Sequence, residues 1–177
     1  MRKYLIFVIL IVLSSCSQSS YSGRFKISEK EKLVNKVEKN VVSNLQRQYG
    51  LIPFGSGGQM MYEIKKLRLI FKYPKPLTEE EAIELVIRAV DEYVFSINKE
   101  VALRQYLANY PFGPKNVEMT IYLQDSRGTS VQPEKFLLVE ASDGFVTCEA
   151  KNPDMGGYRI VFKESFEEAK RKVTGQL

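Results

Sequence analysis

Apolar residues recur every three to four positions over two long stretches of the chain, and at every second position over several short ones. Leu33, Val37, Val41, Leu45 and Tyr49 follow one another at four-residue intervals, with Val34 and Val42 widening the stripe. This spacing predicts an amphipathic helix. Ser28 and Glu31 stand before it in capping-box spacing, and Gly50 supplies a left-handed stop after it. A second helix opens on the same signal, Thr78 with Glu81, and carries Ile83, Val86, Ile87, Val90, Val94 and Ile97 on one face. A shorter helical segment over 101–107 precedes the turn residues 109–114. Ser165 and Glu168 form a third start signal for a terminal helix. Its Glu167 and Glu168 suit the positive end of the helix dipole, and Lys170, Arg171 and Lys172 suit the negative end.

The strands read by alternation. Leu67, Leu69, Phe71 and Tyr73 alternate with Lys66, Arg68, Ile70 and Lys72 until Pro74 and Pro76 end the run. Val117, Met119, Ile121 and Leu123 alternate with Glu118, Thr120, Tyr122 and Gln124 in the clearest strand of the chain. Residues 136–142 and 145–150 flank Asp143-Gly144, a strong two-residue hairpin signal. That turn sets Ala141 against Val146 and Val139 against Cys148, so both strands point the same residues inward. A last strand spans 158–162, and the stretch 51–58 reads as a loop.

Several strands joined by short turns, with helices before and after, predict one α+β domain. We expect a roughly five-stranded, mainly antiparallel sheet with helices packed on it. Its nominal outer face includes Tyr122, Phe136, Leu138, Phe145 and Val161, too apolar for plain solvent. Either the first helix covers that side or something else does.

The N-terminus follows a different order. Met1-Arg2-Lys3 runs into the apolar stretch 5–13, which gives way to Ser14, Ser15, Cys16 and Ser17. That is the order of an export signal, and the stretch is far short of the ~20 residues needed to span a bilayer. Leu13-Ser14-Ser15-Cys16 resembles the lipobox of bacterial lipoproteins. The resemblance implies cleavage before Cys16, with lipid on its thiol and its freed amine. The expected organisation is a signal peptide over 1–15, a lipidated cysteine and flexible tether over 16–23, and a single domain over 24–177. Ser17 after the cysteine, rather than aspartate, resembles the pattern of outer-membrane delivery. In its helix, aromatic turn and meander the mature domain also resembles hypothetical lipoproteins of Gram-negative bacteria without assigned activity. That likeness transfers no functional residue.

Composition sharpens what is excluded. The chain has 177 residues, a net charge of +5, no histidine and two cysteines. Without histidine there is no imidazole base, no Ser-His or Cys-His nucleophile and no histidine-containing zinc site. With Cys16 lipidated, Cys148 has no disulfide partner in the chain and reads as a small buried hydrophobe. The mild basic excess is dispersed among glutamates, so nucleic acid is not an expected partner. We expect neither cofactor nor metal.

The remaining candidates are few. Gly55-Ser56-Gly57-Gly58 lacks the lysine, hydroxyl and following helix of a phosphate loop. The segments around Asp125 and Asp154 lack the ligand spacing of a calcium loop. Glu140 and Glu149 share a face of the predicted hairpin as diagonal neighbours, within ~7 Å and so within the range of a glycosidase pair. Tyr110, Phe112 and Phe54 lie in loops, where large apolar groups mark either a partner contact or a plug at the end of the core. Two readings stay open: a non-enzymatic envelope binding module held on a membrane by lipid and facing an envelope protein, or an envelope hydrolase or ligand-binding domain using carboxylates.

Overall fold

The structure, a computed structural model, describes residues 27–154 and 156–175. The leader, Cys16 and the tether lie outside the described residues. Helix α1 (Glu29–Tyr49) begins at a closed capping box. The Glu31 amide donates to Ser28 Oγ at 3.2 Å, and the Ser28 amide donates to the Glu31 carboxylate at 2.7 Å. Thr78 and Glu81 repeat the arrangement at α2 (Glu79–Lys99). At α3 (Phe166–Thr174), Ser165 Oγ accepts from the Glu168 amide. The segment after α2 is a 3-10 turn over Val101–Tyr106.

Six strands form one mixed sheet: β1 (Ile52–Gln59), β2 (Lys66–Lys72), β3 (Val117–Tyr122), β4 (Leu138–Ser142), β5 (Phe145–Lys151) and β6 (Tyr158–Ser165), in spatial order β1-β2-β3-β4-β5-β6. All neighbours pair antiparallel except β2 and β3, which are parallel because α2 carries the chain back between them. The hairpin register is the one the apolar pattern requires, with Val139 opposite Cys148 and Ala141 opposite Val146. Asp143 and Gly144 both take positive φ, 53° and 80°, as a two-residue I′-type turn demands.

Two expectations change, and one open alternative is decided. The stretch 51–58 is a strand and not a loop, which raises the count to six. Pro53 and the glycines erase its alternation, but at a sheet edge only one side of the backbone must pair, so β1 tolerates them. Gly58 is required there, since a Cβ would sit 2.5 Å from the Lys66 carbonyl oxygen. Phe136 joins the main core and not the outer face. Strand β4 starts two residues after it, and Gln132 directs the loop inward: its Oε1 accepts from the Leu77 amide at 2.7 Å, and its Nε2 donates to the Phe136 carbonyl. Finally, α1 does not cover the outer face.

Helices α1 and α2 instead pack side by side on the inner face. Val34, Val37, Val41 and Leu45 of α1 share one core with Leu67, Leu69 and Phe71 of β2, Val117, Met119 and Ile121 of β3, and the inward residues of β4 and β5. Phe166 and Ala169 of α3 close its far end. Among the described residues the opposite sheet face carries no helix.

Candidate functional site

Side-chain alternation and strand register together decide what the helix-free face displays. One row across it runs Ile70, Thr120, Glu140, Thr147 and Lys163, and the next runs Lys72, Tyr122, Leu138, Glu149 and Ile160. Leu138 is buried between its neighbours, whereas Phe145, Tyr158, Ile160 and Val161 are exposed. A bulge in the β5–β6 pairing falls opposite Ile160 to Phe162, so Val161 breaks the alternation and adds to the apolar edge. Charges frame this surface. Glu118 accepts from Lys66 at 3.2 Å and from Arg68 at 2.5 Å, and Lys66 also reaches Asp143 at 2.5 Å. The hydrogen bond to Asp143 holds the Lys66 ammonium above its ordinary pKa, and the same contact holds the Asp143 carboxyl below its own. Such surface pairs add little stability but orient their side chains.

The three loop aromatics are not brought together. Phe54, 60% exposed, sits at the β1 bulge on the helix-free face, edge-on to Tyr122 at 6.3 Å between centroids and beneath the Lys72 ammonium at 4.3 Å. Tyr110, 50% exposed, stacks with the Arg104 guanidinium at 4.7 Å. Its turn is bonded to the opposite end of β2, where the Ala108 amide donates to the Ile64 carbonyl and Asn116 Nδ2 donates to the Lys65 carbonyl. About 20 Å of extended strand separates the two positions. Phe112 offers no surface at all: it is 2% exposed within the core. The Phe112 amide and carbonyl are both clamped by the Asn98 side chain, at 2.8 and 2.9 Å. Of the two roles open to this residue, core plug is the one its burial allows.

Glu140 and Glu149 are diagonal neighbours, as the hairpin register dictates. Thr120 Oγ1 donates to Glu140 at 2.9 Å. Burial, helped by the charge of Glu140, pushes the Glu149 carboxyl above the usual range, and burial likewise raises the Tyr122 phenol beside them. Two carboxylates and a phenol thus share one patch of the open face.

The other candidates resolve into structure. The glycine run is the extended edge of β1. Asp125 Oδ1 accepts from the Thr129 and Arg127 amides at 2.9 Å each, and the first of these bonds is the main reason its carboxyl is held low. Cys148 is buried, which pushes its thiol up to about 12 and leaves it unreactive. No group of three or more His, Cys, Asp or Glu side chains placed to hold a metal occurs among the described residues.

One polar pair escaped the sequence reading. Tyr93 Oη donates to Glu38 Oε1 at 2.8 Å where α1 meets α2, and both side chains are buried. The signal was available, since Glu38 lies four residues from both Val34 and Val42 and so interrupts the apolar stripe. Burial lifts the Glu38 carboxyl above its ordinary value, against the downward pull of hydrogen bonds from Tyr93 and Ser56. Burial, then the charge of Glu38, raises the Tyr93 phenol well above its own.

A pH dependence follows. The folded chain holds the Glu38 proton more tightly than the unfolded chain does. The associated stability is therefore present below the unfolded value near 4.5 and is lost as pH rises through the raised folded value. Glu38→Gln keeps an acceptor for Tyr93 and removes the titration. The urea midpoint of the variant, relative to wild type, should rise between about pH 5 and about pH 8. A constant difference across that range would assign the titration elsewhere.

No protein-family model, curated protein or solved structure significantly matches this chain. Among the described residues no helix is long and apolar enough to cross a membrane.

Proposed function

We propose that the chain is a lipid-anchored, non-enzymatic binding module of the bacterial cell envelope, held at a membrane through Cys16 and contacting an envelope protein through its helix-free sheet face. The observation that carries the contact surface is the exposure of Phe145, Tyr158, Ile160 and Val161 on β5 and β6, at the sheet edge opposite the Phe54–Tyr122 pair. Apolar groups clustered on one face and rimmed by fixed charges are the usual composition of a protein contact. The anchor rests on the resemblance of residues 13–16 to a lipobox, and the lack of histidine supports the non-enzymatic reading.

The contact is tested with a photoreactive residue at Ile160 in intact envelopes. It should give a discrete adduct that the same residue at Arg88, exposed on α2, does not. Ile160→Lys should then weaken binding of the captured protein about 30-fold, the ~2 kcal/mol of a modest hot spot, with little change in melting. Adducts indistinguishable between the two positions would defeat the contact surface.

A second reading, a hydrolase using Glu140 and Glu149, is favoured only by the raised carboxyl of Glu149. Retention of partner binding in Glu149→Gln separates the binding module from that alternative.

A further inference from the structure

Among the described residues, the most exposed large apolar side chains lie neither on the sheet face nor in the aromatic turn. They are Met61 and Tyr62, 84% and 90% exposed, at the tip of the β1–β2 hairpin. Exposure of this degree usually marks a mobile loop, but here the backbone is tied on all sides. The Lys65 amide donates to the Gln59 carbonyl at 2.9 Å, and the Ile64 amide donates to the Tyr106 carbonyl at 2.7 Å. From α1, the Lys30 ammonium donates to three successive carbonyls, those of Met60, Met61 and Tyr62, the latter two at 3.1 and 3.2 Å. Lys30 thus holds the tip's backbone in place while its side chains stand outward, so little ordering entropy remains to be lost when they dock.

The place where the chain enters the domain is the second observation. Ile27, half exposed, precedes α1 directly beside this tip, and Ser28 to Glu31 line a shared cavity of about 720 Å³ with Met60, Met61 and Tyr62. Cys16 lies eleven residues upstream of Ile27, so lipid on Cys16 would hold this end of the domain within about 40 Å of the bilayer. The opposite end of the sheet, with Phe54, lies a strand length further away.

We infer that the β1–β2 hairpin tip is a membrane-docking element, with Met61 and Tyr62 seated in the interfacial layer of the bilayer that holds the anchor. This inference rests on the lipid-anchor reading of Cys16. Two side chains bind a bilayer only marginally by themselves, as a single short acyl chain does. Tethering makes the contact intramolecular and raises its effective concentration, so a weak insertion suffices to orient the domain. Tyrosine suits the role, with an apolar ring and a hydroxyl that stays at headgroup level. Glu29, Glu31 and Glu63 around the patch outnumber Lys30 and Lys65 by one, so the contact rests on the apolar side chains and does not draw on anionic lipid.

The chain has no tryptophan, so a single introduced indole reports its own surroundings. Lipidated full-length Tyr62→Trp, reconstituted into phosphatidylcholine vesicles, should show blue-shifted emission and lose most of it when the lipid tails are brominated. Phe54→Trp should keep its emission. Vesicle co-flotation, measured on the same samples, reports the anchor separately. Co-flotation without quenching at Tyr62→Trp would overturn the docking element and leave the anchor standing. Equal quenching at both positions would overturn the orientation, and failure of the lipidated chain to co-float would overturn the anchor and the docking together.

Discussion

Phe112→Ala is expected to cost about 3–5 kcal/mol of folding stability, the range for a fully buried ring truncated in a packed core. Its ring is in the core, and Asn98 clamps its backbone on both sides. The neighbours cannot collapse far into the void. For a domain of this size the melting temperature should fall by roughly 10 °C or more. Tyr110→Ala, two residues away and half exposed over Arg104, should change stability by less than about 1 kcal/mol. Urea unfolding of both variants makes the comparison, since the denaturant slope also shows whether the unfolded state has changed. Similar losses at the two positions would mean that the turn does not plug the core as its geometry indicates.

The second large effect is on attachment. Cys16→Ala should abolish incorporation of labelled fatty acid and move the protein from the membrane fraction to the soluble one. A single acyl chain binds reversibly, at about 10⁴ M⁻¹, whereas two or more chains at ~0.8 kcal/mol per buried methylene hold for far longer than a fractionation takes. Attachment should therefore be all or none. The mass of the mature wild-type N-terminus checks the reading directly. An unmodified terminus at another residue would remove the lipid anchor and, with it, the membrane orientation inferred for the β1–β2 tip.

Much of the architecture was legible because it depends on local rules. The reciprocal boxes of Ser28 with Glu31 and Thr78 with Glu81 are three-residue patterns, and their backbone donors have no other partner to choose. The turn at Asp143-Gly144 dictates its own register, so the pairing of Val139 with Cys148 followed from two residues. Burial of Cys148 followed from its parity on β5. Strand β1 was illegible for a matching reason. Its proline and glycines carry no period, and it exists because the edge of β2 needs a partner, which is a property of the assembled sheet.

The candidate site divides along the same line. Sequence pattern alone determined that Tyr122, Leu138 and Phe145 share the side of the sheet away from the core, and that no imidazole chemistry is available; the bulge at Val161 was not legible in it. It also determined that Glu140 and Glu149 are diagonal neighbours. Tertiary structure decided that α1 and α2 both lie on the inner face, which leaves the other side without a helix among the described residues. It decided that Phe112 points inward while Tyr110 does not, and that Glu38 finds Tyr93 across a helix–helix contact. It also decided that Lys30 reaches the carbonyls of a hairpin thirty residues away. The physical reason is range. Periodicity, capping and turn chemistry act between residues a few positions apart and are written where they act. The choice of which apolar face a helix covers is made by the whole core at once, through burial that no single segment can report.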